Sequence, residues 1–113
     1  MKYAILIYET DADFSSRSEI MPAYQAYSDA LAEAGVMTGG TALLPAHTAT
    51  SIRLKEGQRQ VQDGPFAETK EQLGGLYLID VPDLDAALDW AARCPGASQC
   101  GVEVRPVGVT EQQ

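Results

Sequence analysis

Two stretches, Lys2–Tyr8 and Leu76–Val81, are apolar on both faces of an extended backbone. That constrains the fold more than anything else in the chain. In the first, Tyr3, Ile5 and Ile7 point one way and Ala4, Leu6 and Tyr8 the other. A strand that is apolar on both faces belongs inside a sheet covered on both sides. A chain of 113 residues makes one domain, residues 1–113. It is long enough to hold a core without metal or disulfide staples.

The stretches between these strands set the order. Ile20, Tyr24, Tyr27, Leu31 and Ala34 recur at helical spacing and form one apolar stripe. Glu9 to Phe14 reads as an acidic loop, and Ser16 with Glu19 fits a capping box. Pro22 conflicts with an unbroken helix from Ser16. The helix either starts near Pro22 or kinks there, and a main helix from about 21 to 34 with Gly35 as its stop is favoured. Val36 to Leu44 reads as a strand in which Gly39-Gly40 marks a bulge or a close backbone approach.

Ala49–Leu54 and Arg59–Gln62 flank a turn and form a small hairpin. Ile52, Leu54 and Val61 lie on one face of it, and Arg53, Lys55, Gln60 and Gln62 on a wet one. Asp83 fits the start of a second helix, with Leu84, Ala87, Leu88, Ala91 and Cys94 as its buried stripe and Pro95-Gly96 as its end. Val102–Arg105 is the last strand, and Thr110–Gln113 reads as a frayed tail. Without the hairpin the order is β-α-β-β-α-β, a ferredoxin-like α+β fold. Two helices cover one face of such a sheet. The simplest cover for the other is a second copy, so a homodimer with facing sheets is expected.

Composition excludes several functions. The net charge is −8 and the eight basic residues are scattered, which disfavours phosphate-backbone binding and anionic membranes. No apolar run spans a bilayer, and the short N-terminal one meets acids too soon for a signal peptide. A cytoplasmic location is expected. Cys94 and Cys100 read as reduced thiols, although a bridge across Pro95-Gly96 is sterically open. Two cysteines and a distant histidine are too few for a zinc site. Gly74-Gly75 lacks the strand–loop–helix setting of a phosphate loop.

The chemistry-bearing residues gather around the hairpin. His47 is the sole histidine, and histidine is the side chain best suited to proton transfer near neutrality. It precedes the hairpin, and Asp63 ends it. A hairpin brings its ends together, so Asp63 could orient the imidazole of His47 as a base. The alternative is a solvated histidine beside the turn former Asp63-Gly64-Pro65. Glu68, Lys70 and Glu71 are either a solvated cluster or the mouth of a cleft. Arg53 could take a carboxylate, and Tyr77 could line a pocket for an aromatic ligand.

The run Asp63-Gly64-Pro65-Phe66-Ala67-Glu68-Thr69-Lys70-Glu71, continuing through Leu73-Gly74-Gly75-Leu76-Tyr77-Leu78-Ile79, resembles the central motif of the DGPF proteins of the YCII-related family. Lys2–Tyr8, Ala34-Gly35, Trp90–Pro95 and Val102–Pro106 are similar to that family as well. The resemblance implies a dimeric α+β barrel. It also implies kinship with small-molecule enzymes, among them a dehydrochlorinase of aromatic breakdown for which a His–Asp pair is proposed. Muconolactone isomerases and cofactor-free monooxygenases share the wider fold. Genes for DGPF proteins often neighbour those for alternative sigma factors. The family's strand commonly carries an aromatic where this chain has Leu76, which leaves a pocket more open here.

Two functions follow as expectations. One is an enzyme moving protons on a small organic molecule, by isomerisation or elimination, with His47 and Asp63 and without metal or organic cofactor. The other is a dimeric ligand-binding or protein-interaction module, which the genomic setting of the family would link to transcriptional regulation.

Overall fold

In the computed structural model, which describes residues 1–108, the main sheet has four antiparallel strands. They are β1 (Lys2–Glu9), β2 (Met37–Ala42), β5 (Gln72–Asp80) and β6 (Gly101–Pro106), in the spatial order β2-β5-β1-β6. That is the ferredoxin-like order expected from the sequence. The hairpin, β3 (Thr50–Lys55) and β4 (Gln58–Asp63), forms a sheet of its own. Its turn, Glu56-Gly57, has positive φ at both residues, 52° and 76°, which matches the twist of a tight hairpin. The tail over Thr110–Gln113 lies outside the described residues.

The helices lie on one face of the main sheet. Tyr3, Ile5 and Ile7 of β1 and Tyr77 and Ile79 of β5 meet Tyr27 and Leu31 of α2 (Arg17–Glu33) and Ala87 and Ala91 of α3 (Leu84–Arg93). Ile5 stands opposite Tyr77 on one side and Val104 on the other, which centres the core on β1. The Tyr27 hydroxyl donates to the Trp90 carbonyl at 2.7 Å, and its ring meets Tyr77 edge-on at 5.2 Å. The other sheet face, carrying Ala4, Leu6, Tyr8, Leu76 and Leu78, is half-buried. The molecule is only 18 Å through its thinnest dimension. That is the depth of one helical layer on one sheet, with layers about 10 Å apart. The hairpin therefore extends the slab sideways, and among the described residues no second layer of helix or sheet lies on this half-buried face.

Several sequence expectations are corrected. Glu9 belongs to β1, and Asp11–Ser15 is a short helix, α1, rather than a loop. Its capping box is Thr10 with Asp13, while Ser16 makes no side-chain cap. α2 begins at Arg17 and continues past Pro22 rather than starting near it. Proline is tolerated there because the carbonyl it leaves unpaired belongs to exposed Ser18 in the first turn, where water can reach it. α3 ends at Arg93, just ahead of Pro95-Gly96 as expected, and Pro95 then opens a further short helix, α4 (Pro95–Gln99). Leu84 and Leu88 lie outside the buried stripe of α3, which the smaller Ala87, Ala91 and Cys94 form. The Asp83 cap is present, accepting from the Ala86 amide at 2.9 Å. The bulge expected at Gly39-Gly40 falls between Met37 and Gly39.

Candidate functional site

β1 alternates inward through Tyr3, Ile5 and Ile7, and the next inward position is Glu9. A carboxylate brought into a core this way needs a partner. Glu9 is 6% exposed and takes one from Arg17, at the start of α2, with Nη2 to Oε1 at 2.7 Å. The same guanidinium donates to the Gly74 carbonyl at 2.9 Å and to the Leu43 carbonyl at 2.7 Å. Arg17 thus ties β1, β5 and the residue just past β2 to its own helix. The guanidinium also stacks on Phe14, its central carbon 4.6 Å from the ring centre.

The space for Glu9 comes from the neighbouring strand. β1 and β5 shift register between Ile7 and Tyr8, where β5 carries the extra residue Gly74. A side chain at Gly74 would overlap the Glu9 carboxylate, and one at Gly75 would press on the Thr41 carbonyl at 3.0 Å. Bulges of this kind commonly re-aim chains beside functional sites.

A cleft of about 200 Å³ opens between α2 and this corner of the sheet. Ile7, Met21 and Met37 give it apolar walls; Glu9, Arg17 and Ser28 supply polar groups. Tyr77 lines it too, and its hydroxyl shares a 2.8 Å hydrogen bond with Ser28. Tyr24 completes the wall, its hydroxyl seated where a side chain at Gly96 would approach to 2.8 Å. Burial pushes the Tyr24 phenol well above its ordinary value, helped by Cys94 and other neighbours. Burial raises Tyr77 too, with the Ser28 bond working the other way. Both remain neutral hydrogen-bonding phenols. Cys94 and Cys100 are unbridged thiols, and burial raises both, which suits inert cysteines rather than nucleophiles.

The residues singled out from sequence do not converge. Tyr77 alone lines this cleft. Lys70 lies in a broad open cleft with Tyr8, Glu71 and Glu103. Arg53 stacks on Phe66, 4.3 Å from the ring centre, and Glu68 is exposed. His47 sits in a single 3₁₀ turn, Ala46–Thr48, against Asp11, Phe14, Ser15 and Pro45. Asp63 closes β4 opposite Thr50. The hairpin's ends do meet, through the Gly64 amide on the Ala49 carbonyl at 2.6 Å. Yet His47 and Asp63 are both exposed, and among the described residues no ion pair joins them.

Sequence reasoning missed Glu9 and Arg17. The signal was present: Glu9 continues an inward alternation, and Arg17 is the sole cation between Lys2 and Arg53. Among the described residues, no group of three or more His, Cys, Asp or Glu is placed to hold a metal ion, and no helix is long and apolar enough to cross a membrane.

The architecture defines the class first: an α+β, ferredoxin-like domain with an inserted hairpin. The chain belongs to the YCII-related family, whose domain matches residues 1–110. An uncharacterized protein from Rhizobium meliloti (strain 1021) is 40% identical over 116 residues, spanning 96% of this chain and 94% of its own. The solved structure of 5-chloro-2-hydroxyhydroquinone dehydrochlorinase from Burkholderia phenoliruptrix AC1100, in complex with 2,5-dihydroxybenzoquinone, shares the fold. Its TM-score is 0.61 at 14% identity, over 96% of this chain and 94% of that one.

Proposed function

We propose that the chain is a small-molecule enzyme of the YCII-related family. It would move a proton on a small oxygen-bearing ring held in the cleft between α2 and the sheet. The carrying observation is the buried Glu9 carboxylate, held at Oε1 by Arg17 in an apolar cleft that also presents neutral hydroxyls. Glu9 takes a proton from the ligand. The Ser28 and Tyr77 hydroxyls, with Tyr24, donate to the ligand oxygen on which charge develops. Return of the proton at another atom gives isomerisation; loss of an anionic leaving group gives elimination. The cleft is below the usual range for drug-sized ligands, about 300–1,000 Å³, and so suits a single ring.

A fold-mate that binds 2,5-dihydroxybenzoquinone makes that compound the first probe. Titrated into labelled protein, it is expected to move the amide signals of Tyr24, Ser28, Gly74 and Gly75. Exchange of its ring protons for solvent deuterium should depend on the protein and be lost in Glu9→Gln. Shifts confined to Tyr8, Lys70 and Glu103, or none at millimolar probe, would overturn the reading. The His47–Asp63 pair is the rival catalytic centre, favoured by the closed hairpin base. Retained exchange in Glu9→Gln and its loss in His47→Ala would select it. A module that binds without turnover would give the amide shifts and no exchange.

The half-buried sheet face of Ala4, Leu6, Tyr8, Leu76 and Leu78 supports a homodimer in which a second copy covers it. Sedimentation at micromolar concentration is expected to give twice the chain mass.

A further inference from the structure

Most of the large apolar side chains left exposed come from one stretch. Leu43 and Leu44 lie at the base of the hairpin; Ile52 (51% exposed), Leu54 (71%) and Val61 (56%) lie on it; and Phe66 (59%) follows it. Ile52 and Val61 are direct cross-strand partners, so with Leu54 they share one face. The sequence pattern separates that face from the wet one, and among the described residues nothing covers it. Phe66 lies apart from these side chains, stacked on Arg53 of the opposite face. An exposed apolar face of this kind marks an interaction surface. An isolated two-stranded hairpin is also marginal in water, so the arm gains most from a partner.

Charge says which partner. Residues 43–73 hold four basic side chains, Arg53, Lys55, Arg59 and Lys70, and four acidic ones, Glu56, Asp63, Glu68 and Glu71. They are neutral as a group, and the whole net charge of −8 belongs to the rest of the chain. Two acidic copies carry a like-charge repulsion that apolar contact must outweigh. A neutral, apolar arm adds contact with the other copy without adding to that repulsion. The shape agrees: the radius of gyration is 15.9 Å, against about 13 Å for a compact chain of this size. The arm reaches beyond its own body.

We propose that the β3–β4 arm of each copy packs on a second copy of this chain, burying Ile52, Leu54 and Val61 and adding to the contact made by the open sheet face. This rests on the homodimer reading above. The test needs no variant. A mixed sample of labelled and unlabelled protein, of known mass by light scattering, is examined for intermolecular nuclear Overhauser effects.

Intermolecular signals from the Ile52, Leu54 and Val61 methyls are expected. A dimer with intermolecular signals from Leu6, Leu76 and Leu78 alone would overturn the arm contact and leave the homodimer standing. A monomer at 100 µM would overturn both. As a second measurement, Leu54→Ser is expected to weaken dimerisation at least tenfold. Unchanged association of the folded variant would count against the proposal.

Discussion

The corner of Glu9 and Arg17 and the base of the hairpin make an instructive pair. The hairpin base holds the residues with the most reactive reputations, His47 and Asp63, and both are exposed and unconnected to each other by any ion pair. The Glu9 corner looks dull in sequence, an acid at a strand end and an arginine in a polar stretch. Yet it places a charged pair where water is scarce, and β1, β5, the residue just past β2 and α2 converge on it. Electrostatic interactions gain strength with exclusion of solvent, so enclosure matters more than residue type.

The largest expected effect that sharpens this contrast is Arg17→Ala. It strands the Glu9 carboxylate in the interior and frees the Gly74 and Leu43 carbonyls. Breaking such a pair from one side costs about 3 kcal/mol or more. Urea denaturation should read it, and a loss under about 1 kcal/mol would erase the distinction between the two regions. Gly74→Ala comes next. The methyl needs the space that the pinned Glu9 occupies, and crowding of this kind costs about 2 kcal/mol. The same titration of the variant checks it; wild-type stability would mean that Glu9 moves freely.

A pH series probes the enclosed side of the comparison. Burial raises the Cys94 thiol above its ordinary 9.0 and the Tyr27 phenol above 10.0. The unfolded chain releases these protons first, so above pH ~9 it binds fewer protons than the folded chain, and stability falls as pH rises. Each withheld proton contributes a slope of up to about 1.4 kcal/mol per pH unit. This stability is fully present below pH ~9. Denaturation midpoints unchanged up to about pH 10.5 would contradict it. The smallest effect belongs to the exposed side. His47→Ala and Asp63→Asn should each change stability by less than about 0.5 kcal/mol, as surface substitutions do. A loss above about 1.5 kcal/mol in either would show a coupling between the hairpin's ends.

The sheet was legible because alternation and turn chemistry are local. β1, the Gly39 bulge, the Asp83 cap and the order of elements all follow from spacing. The misreadings share a different cause. Whether Pro22 breaks α2 depends on where the carbonyl of Ser18 points. Whether Leu84 and Leu88 are buried depends on how close α3 lies to the sheet, and Ala87 and Ala91 decide that. Glu9 and Arg17 meet only after the chain has turned through α1. Tyr77 lines the cleft because its strand carries it inward. Sequence leaves Arg53, Glu68 and Lys70 open, because a charged side chain near a loop looks alike in sequence whether it lines a cleft or faces water.

The Glu56-Gly57 turn carries one more consequence. Glu56 is the single non-glycine with positive φ among the described residues, and left-handed backbone costs an ordinary residue about 1 kcal/mol. The arm is also a two-stranded sheet of its own, so it is expected to open without the rest of the domain. Hairpins reclose in about 1–10 µs, far faster than a whole domain refolds. Backbone amides of residues 50–63 should thus exchange with solvent through local excursions, while those of β1 and β5 wait for global unfolding. The gap between those two rates measures how far the arm is a separate cooperative unit. Its change with protein concentration reports what a neighbour adds.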